Sequence, residues 1–305
     1  MRRLARCAEQ SCSATVLKID QIINLYILFN YKMELLKISN KYEDLICLKI
    51  KKRPSSIIKS PYVADCILFD HDTIDEDNEE ADKHKPNYLL YTPGLGCGGL
   101  VVASNYVYGV KSSTSSKTQY TAMMTYCEDS EGIYYVGVHP MISQKACLVY
   151  LQTTYKDYVW NSEVTLTKET RIDFVGTQNE TGKKFYVEVK NAMVSYESDR
   201  ERKDRRALFP EASKRTLKPV SERALKHANT LKDLLKEETT EKCMLLYTVP
   251  RSDCKAGVVI NPNDVTYAKA VKDAESAGVC LNAIGMKFDL SGIVKFTSEL
   301  SVHYQ

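Results

Sequence analysis

The sequence has one tryptophan, no Cys-x-x-Cys pair among its ten cysteines, and no long apolar run. The longest apolar stretch near the start is Ile22-Ile23-Asn24-Leu25-Tyr26-Ile27-Leu28-Phe29. A bilayer-spanning helix needs about 20 such residues, so a membrane-embedded function is excluded for this segment. The long polar stretch preceding it also argues against a secretory signal. Without paired cysteine spacings, zinc-ribbon and disulfide-framework readings lose their basis. The cysteines instead sit in apolar runs, as in Leu-Ile-Cys47-Leu and Ala-Asp-Cys66-Ile-Leu, and read as buried thiols of a reducing compartment. In such a compartment the sequon at Asn179 carries no weight. No internal repeat is visible, and the net charge of +3 is too small to mark a nucleic-acid binder by itself.

What is present is a chain of 305 residues with 44% hydrophobic content, enough for one large domain or two ordinary ones. Residues 1–16 are basic and contain a single acid, Glu9. They weakly resemble an organelle presequence, and they read equally well as an extension ahead of a start at Met33. Residues 1–40 are therefore expected to be a poorly ordered extension. The rest of the chain is expected to be intracellular, in cytoplasm or nucleus.

From about residue 41 the pattern predicts short strands at 43–51, 62–69, 87–92, 100–110, 118–127 and 132–138. So many short strands in so few residues predict a small barrel or sandwich over 41–138. An acidic run from Asp70 to Asp82 interrupts it, and 70–86 reads as a solvated insertion in a hairpin connection. Gly94, Gly96 and Gly99 match the dinucleotide fingerprint, but Leu100-Val101-Val102 follows rather than a helix start. That spacing reads as a turn, and no organic cofactor is expected. Over 139–305 the pattern predicts a helix at 141–157, strands at 161–167, 170–176 and 184–190, and a polar basic stretch at 195–219. A helix at 220–237, a strand at 242–249, a helix at 264–277 and a strand pair within 279–297 follow. This is mixed α/β order.

The chemistry lies in Arg171-Ile172-Asp173-Phe174-Val175 and Phe185-Tyr186-Val187-Glu188-Val189-Lys190. Alternation puts Arg171, Asp173 and Val175 on one face of the first strand, and Tyr186, Glu188 and Lys190 on one face of the second. Asn179-Glu180-Thr181-Gly182 is turn-forming. A hairpin symmetric about Glu180 and Thr181 places Asp173 opposite Glu188, with Cβ atoms about 5 Å apart. Two facing carboxylates repel unless a proton or cation intervenes. A hard divalent ion suits the gap, with Lys190 beside it for the attacking water. The competing reading is a half-exposed hairpin whose charges form ordinary surface pairs.

Between Arg200 and His227 ten basic residues stand against four acidic ones. Arg202, Lys203, Arg205, Arg206, Lys214, Arg215 and Lys218 are the candidate phosphate contacts. The alternative is a solvated loop. On the following helix, Glu222 aligns with Lys226 and Arg223 with His227, and Ser221 marks a helix start.

The ordered motifs Arg-Ile-Asp-Phe, Tyr-Val-Glu-Val-Lys-Asn, Ala-Leu-Phe-Pro-Glu-Ala and Ser-Glu-Arg-Ala-Leu-Lys-His resemble the sugar fermentation stimulation protein A (SfsA) family. The resemblance runs from about Pro54 to Lys295, and Ser60–Asp65 and Leu95–Gly99 carry it in the first half. It implies an α+β fold: an OB-like barrel followed by a mixed α/β PD-(D/E)xK, restriction-endonuclease-like domain. It further implies a protein that binds DNA without sequence preference and is a candidate regulator of sugar metabolism. By motif, Asp173, Glu188 and Lys190 are the catalytic set, with Asp173 and Glu188 holding Mg²⁺ or Mn²⁺. Glu222, Arg223, Lys226 and His227 are secondary candidates.

The chain departs from the family pattern at four places. Ser213 to Val220 intervene between the Phe-Pro-Glu-Ala and Ser-Glu-Arg motifs, Ala224 replaces a common glycine, Lys168-Glu169-Thr170 replaces Gly-x-Ser, and Gln144 replaces an asparagine. The expected function is DNA binding, or RNA binding, with a divalent-metal-dependent nuclease site. The alternatives are a non-catalytic DNA-binding regulator with the same fold and a small-molecule sensor using the barrel mouth.

Overall fold

In the computed structural model the described residues are 34–37, 45–70, 82, 84–94, 96–113, 116–168, 170–212 and 214–304. The expectations for residues 1–32 lie outside them. Five strands close a barrel: β2 (Ile46–Lys52), β3 (Val63–Leu68), β4 (Tyr88–Tyr91), β5 (Tyr106–Lys111) and β6 (Tyr120–Asp129). Antiparallel pairing runs β4-β3-β2-β5-β6, and a parallel contact of Leu90 with Tyr120 joins β4 to β6. Alternation fills its interior with Leu48, Ile50, Ala64, Cys66, Leu90, Val107 and Ala122. β7 (Gly132–Gly137) extends β6 as a hairpin. The strand expected to start at 100 starts at Tyr106, because Cys97–Gly99 form a 3₁₀ turn. No helix follows that turn, in which Gly98 and Gly99 have φ of 62° and 71°, so the glycines serve the turn.

The acidic run is not solvated throughout. Asp82 is buried and takes Lys49 and Lys85 at 2.8 Å each. The positive charges compensate its desolvation.

Next come α1 (Pro140–Thr154), β8 (Tyr158–Thr167), β9 (Thr170–Gln178), β10 (Lys184–Asn191), β11 (Val194–Tyr196), β12 (Arg206–Phe209), α2 (Glu222–Leu234), β13 (Thr240–Val249), β14 (Val258–Ile260), α3 (Val265–Ser276), β15 (Cys280–Lys287), β16 (Ile293–Leu300) and β17 (Val302–Tyr304). The main sheet has the order β1-β16-β15-β13-β10-β9-β8, with β13 parallel to both its neighbours. Its outer strand β1 (Glu34–Lys37) comes from the segment expected to be a poorly ordered extension, with Leu35 buried. A four-stranded sheet, β11-β12-β14-β17, lies within and beyond the stretch read as basic loop.

The main sheet is covered on both faces, as its apolar central strands require. Ile142, Ala146, Cys147, Tyr150 and Leu151 of α1 pack on Phe174, Phe185, Val187, Met244 and Leu246. Ala224, Ala228 and Leu231 of α2 and Val271 of α3 pack on Tyr186, Leu245 and Tyr247. Ser221 caps α2, its hydroxyl accepting the Ala224 N–H at 3.1 Å. The barrel docks where Gly137 meets the Phe288 ring, a contact that leaves no room for a Cβ. All eight described cysteines are free thiols. No helix among the described residues is long and apolar enough to cross a membrane.

Candidate functional site

The turn between β9 and β10 puts Gly182 at φ 71°, and the ladder pairs Thr177 with Lys184, Gly176 with Phe185, Val175 with Tyr186 and Phe174 with Val187. This is the register of a hairpin symmetric about Glu180 and Thr181. The next position brings Asp173 level with Glu188. There the ladder stops, and the Asp173 carboxylate takes the Val189 N–H at 2.8 Å. Ile172 packs into the α2 side of the sheet while Phe174 packs into the α1 side, so alternation breaks across Asp173. The apolar face expected to hold both residues is therefore divided.

Glu188 is fully buried. One of its oxygens takes the Lys190 ammonium at 3.0 Å and Nδ1 of His227 in a short contact. The other, Oε1, is buried with no hydrogen-bond partner. Burial pushes the Glu188 carboxyl up, but His227 and Lys190 more than offset it and hold it below the usual carboxylate range. Burial and then the Glu188 charge push Asp173 up to about 6. One carboxylate of the pair is thus secured as an anion while the other resists ionisation. The short contact fixes the proton of His227 on Nδ1, where it donates to Glu188. The Lys190 ammonium also lies 3.3 Å from Nδ1, but a protonated Nδ1 offers it no lone pair. Lys190 therefore spends two N–H groups, on Glu188 and on the Val189 carbonyl at 3.1 Å, and the third is left for another acceptor.

Two further residues join the site. The flanking pairs Ser162–Phe174 and Val164–Ile172 place Glu163 level with Asp173 on the other side of β9. Glu163 has φ 57°, in the left-handed region that non-glycine residues rarely adopt. Gln144 on α1 donates to Asp173 at 3.3 Å and to Glu163, whose other oxygen holds Arg171 at 2.7 Å. Gln144 entered the sequence reading only as a departure, and Glu163 not at all. The β8–β9 connection gave no usable signal, because the Thr167–Thr170 pair extrapolates to Val164 opposite Asp173 and an irregularity between Thr165 and Thr167 shifts the register to Glu163.

The structure thus brings together Asp173, Glu188, Lys190 and His227. Glu222, Arg223 and Lys226 lie exposed along α2 instead. Among the described residues no three His, Cys, Asp or Glu side chains already converge as a metal cage. A pair of carboxylates completed by water and phosphate oxygens is the manner of Mg²⁺.

The expected phosphate contacts divide. Arg205 is buried, held by Asp129 at 2.8 Å and Asp253 at 2.9 Å. Arg202 pairs with Asp129 at 2.6 Å, and Arg206 with Glu197 at 2.7 Å. Asp129 ends β6 of the barrel and Asp253 follows β13, so Arg202 and Arg205 join the two halves rather than face a ligand. Asp253 also holds Arg251 at 2.7 Å. Lys203 is exposed and paired with Glu201, whereas Lys214, Arg215 and Lys218 are exposed without an ion pair among the described residues.

The family model for the sugar fermentation stimulation protein RE domain matches residues 137–292. A sugar fermentation stimulation protein homolog of Crocosphaera subtropica is 33% identical over 37% of this chain and 40% of its own length. The homolog of Trichormus variabilis is 28% identical over 68% of this chain and 79% of its own. The first relatives are thus matched over only about two fifths of their length. Among solved structures, Pyrococcus furiosus SfsA in complex with Ca²⁺ shares 18% identity at a TM-score of 0.66, covering 89% of this chain and 99% of that one. Its fold, an OB-like barrel joined to a nuclease-like α/β domain, is the fold of this chain. With a family model spanning just over half of its length, the chain belongs to the sugar fermentation stimulation protein (SfsA) family.

Proposed function

We propose that this protein binds nucleic acid and hydrolyses phosphodiester bonds at a divalent-metal site built on Asp173 and Glu188. The observation that carries the reading is the buried Glu188 Oε1, which has no hydrogen-bond partner and lies beside a second carboxylate that resists ionisation. An unpaired buried carboxylate oxygen is costly unless a cation completes it. The donors fit a hard ion: two carboxylates, which water and phosphate oxygens would complete. That a protein of the same fold was solved with Ca²⁺ supports the same assignment. When bound, the ion supplies charge neutralisation and polarises a phosphoryl oxygen.

The chain's own residues do the rest. Glu188 stays ionised because His227 and Lys190 hold it, and so keeps its place as ligand. His227 anchors the Glu188 oxygen that faces Lys190 and so fixes the rotamer. Lys190 presents its remaining N–H to the attacking water or to a phosphate oxygen, where negative charge develops in the transition state. Mg²⁺ or Mn²⁺ is the ion this chemistry favours, and DNA the substrate class, with RNA as the second.

The deciding experiment incubates the purified chain with single-stranded and duplex DNA and RNA, with Mg²⁺, Mn²⁺ or a chelator. Metal-dependent cleavage lost in Glu188→Gln supports the reading. Binding without cleavage under every metal condition gives the protein to the second reading, a non-catalytic nucleic-acid-binding regulator.

A further inference from the structure

Between two motifs that run almost directly together in the family pattern, residues 216–220 are not a loose loop. The Thr216 N–H donates to the Asn263 carbonyl at 2.7 Å, and the Val265 N–H returns to the Thr216 carbonyl at 3.2 Å. Thr216 and Asp264 form a parallel bridge. The Val220 N–H reaches a carboxylate oxygen of fully buried Asp264 at 2.8 Å, while the other oxygen of Asp264 caps α3 through Tyr267 N–H at 3.0 Å. Thr266 donates its hydroxyl to the Leu217 carbonyl, and Thr216 closes a turn on the Lys218 carbonyl at 2.8 Å. The backbone is held from Thr216 to Val220, yet Leu217 is 75% exposed and Val220 48%. Lys214, Arg215 and Lys218 flank Leu217, exposed and unpaired among the described residues.

A fixed backbone that presents an apolar side chain between free cations matches a surface on which anionic groups alternate with apolar faces. We propose that residues 214–218 form a wedge for double-stranded nucleic acid. Lys214, Arg215 and Lys218 take backbone phosphates, and Leu217 enters between base steps. This deepens the reading of the site as nucleic-acid-directed and rests on it. The wedge runs into α2, along which His227 sits six residues, or about 9 Å, from the Ser221 cap, so wedge and carboxylates are served by one rigid helix. A lipid surface fits less well. Interfacial binding needs a broad apolar face, and this segment offers two separated side chains.

The test uses the full chain, a labelled DNA duplex carrying 2-aminopurine, and anionic phosphatidylserine vesicles. Wild type should unstack the probe and raise its fluorescence. K214A/R215A/K218A should flatten the log–log salt dependence of binding by about 2 to 3 units, one released counterion per lost contact. Leu217→Ala should keep the salt slope and lose the unstacking signal. An unchanged slope in the triple variant, with wild-type binding intact, overturns the wedge while leaving the nucleic-acid reading standing. Absence of wild-type binding to any nucleic acid overturns both. Vesicle binding that the triple variant loses while duplex binding persists assigns the segment to lipid. Far-UV circular dichroism checks folding, and Lys218→Glu substitutes for the triple variant if that fails to fold.

Discussion

The carboxylate of Asp173 accepts the backbone N–H of Val189 at 2.8 Å, reaching between Glu188 and Lys190. It takes the place of a ladder carbonyl at the point where β9 and β10 cease to pair. Asp173 is therefore both a strand tie and the second carboxylate of the site, and substitution separates the two roles. Asparagine keeps an acceptor for Val189 and removes the charge facing Glu188.

The metal-free protein should accordingly be more stable as Asp173→Asn than as wild type at pH 8, by an amount on the order of 2 kcal/mol. The sign follows from the carboxyl being raised to about 6 in the folded state. Between the unfolded value of about 4 and this one, the folded protein holds the proton longer, so wild-type stability falls as pH rises. The advantage of the variant should open across that window and level off above it. Urea unfolding at several pH values measures it, and a destabilised Asp173→Asn at pH 8 would contradict the charge assignment.

Divalent binding should show the complementary pH dependence. A proton on Asp173 competes with the cation, so apparent affinity should rise with pH up to about 6 and flatten beyond. Ca²⁺ or Mg²⁺ should raise the melting temperature at pH 7.5 and do little at pH 5. Glu188→Gln should remove most of the gain at pH 7.5. Calorimetric titration reads the affinity directly, and a pH-independent affinity would place the cation elsewhere.

Arg205 tests the junction of the two halves. It is 5% exposed and its partner Asp253 is fully buried, so Arg205→Ala removes one of the two guanidinium partners of each carboxylate, leaving Arg251 on Asp253 and Arg202 on Asp129. Because each carboxylate keeps one guanidinium, the loss of stability should fall below about 3 to 5 kcal/mol, the cost of a buried charge left uncompensated. Nucleic-acid affinity of the folded fraction should change little, in contrast to Lys214, Arg215 and Lys218. Chemical unfolding paired with a binding assay decides it. A variant that folds as well as wild type but binds far more weakly would return Arg205 to the ligand surface.

What the sequence revealed followed from local rules. The Asn179–Gly182 turn was enough to set Asp173 level with Glu188, since a hairpin register follows from its turn, whereas alternation breaks across Asp173. The Ser221 cap and the helix after it were readable for the same reason. The basic stretch was not, because a charge reads alike whether it faces water or a carboxylate brought from far along the chain. Asp129 lies 76 residues from Arg205, and Asp253 lies 48 away. The strands β11, β12, β14 and β17 also went unseen. At three or four residues each they carry no period, and only their mutual pairing makes them strands. Glu163 was missed because its strained backbone, not its neighbours in sequence, turns it toward the site.

Lys190 carries the last prediction. Its ammonium neutralises the Glu188 oxygen shared with His227 and, with the proton of His227 on Nδ1, has one N–H left for the reacting groups despite lying 3.3 Å from that nitrogen. Charge at the scissile phosphate and its nucleophile grows mainly in the transition state, so the lysine should matter more to turnover than to binding. Lys190→Met keeps the length and apolar stem of the side chain. It should lower the cleavage rate by about 10²- to 10³-fold, the scale for losing one preorganised donor, with duplex affinity changed no more than a few-fold. It should also weaken divalent binding less than Glu188→Gln, because the variant removes a competing cation from the carboxylate. His227→Ala tests whether the effect is specific. It frees the same Glu188 oxygen without removing the ammonium, so it should reduce turnover less than Lys190→Met while shifting its pH profile. Single-turnover cleavage separates these outcomes. Equal losses of rate and affinity in Lys190→Met would make the lysine a substrate-binding charge, and a rate unchanged from wild type would remove it from the chemistry.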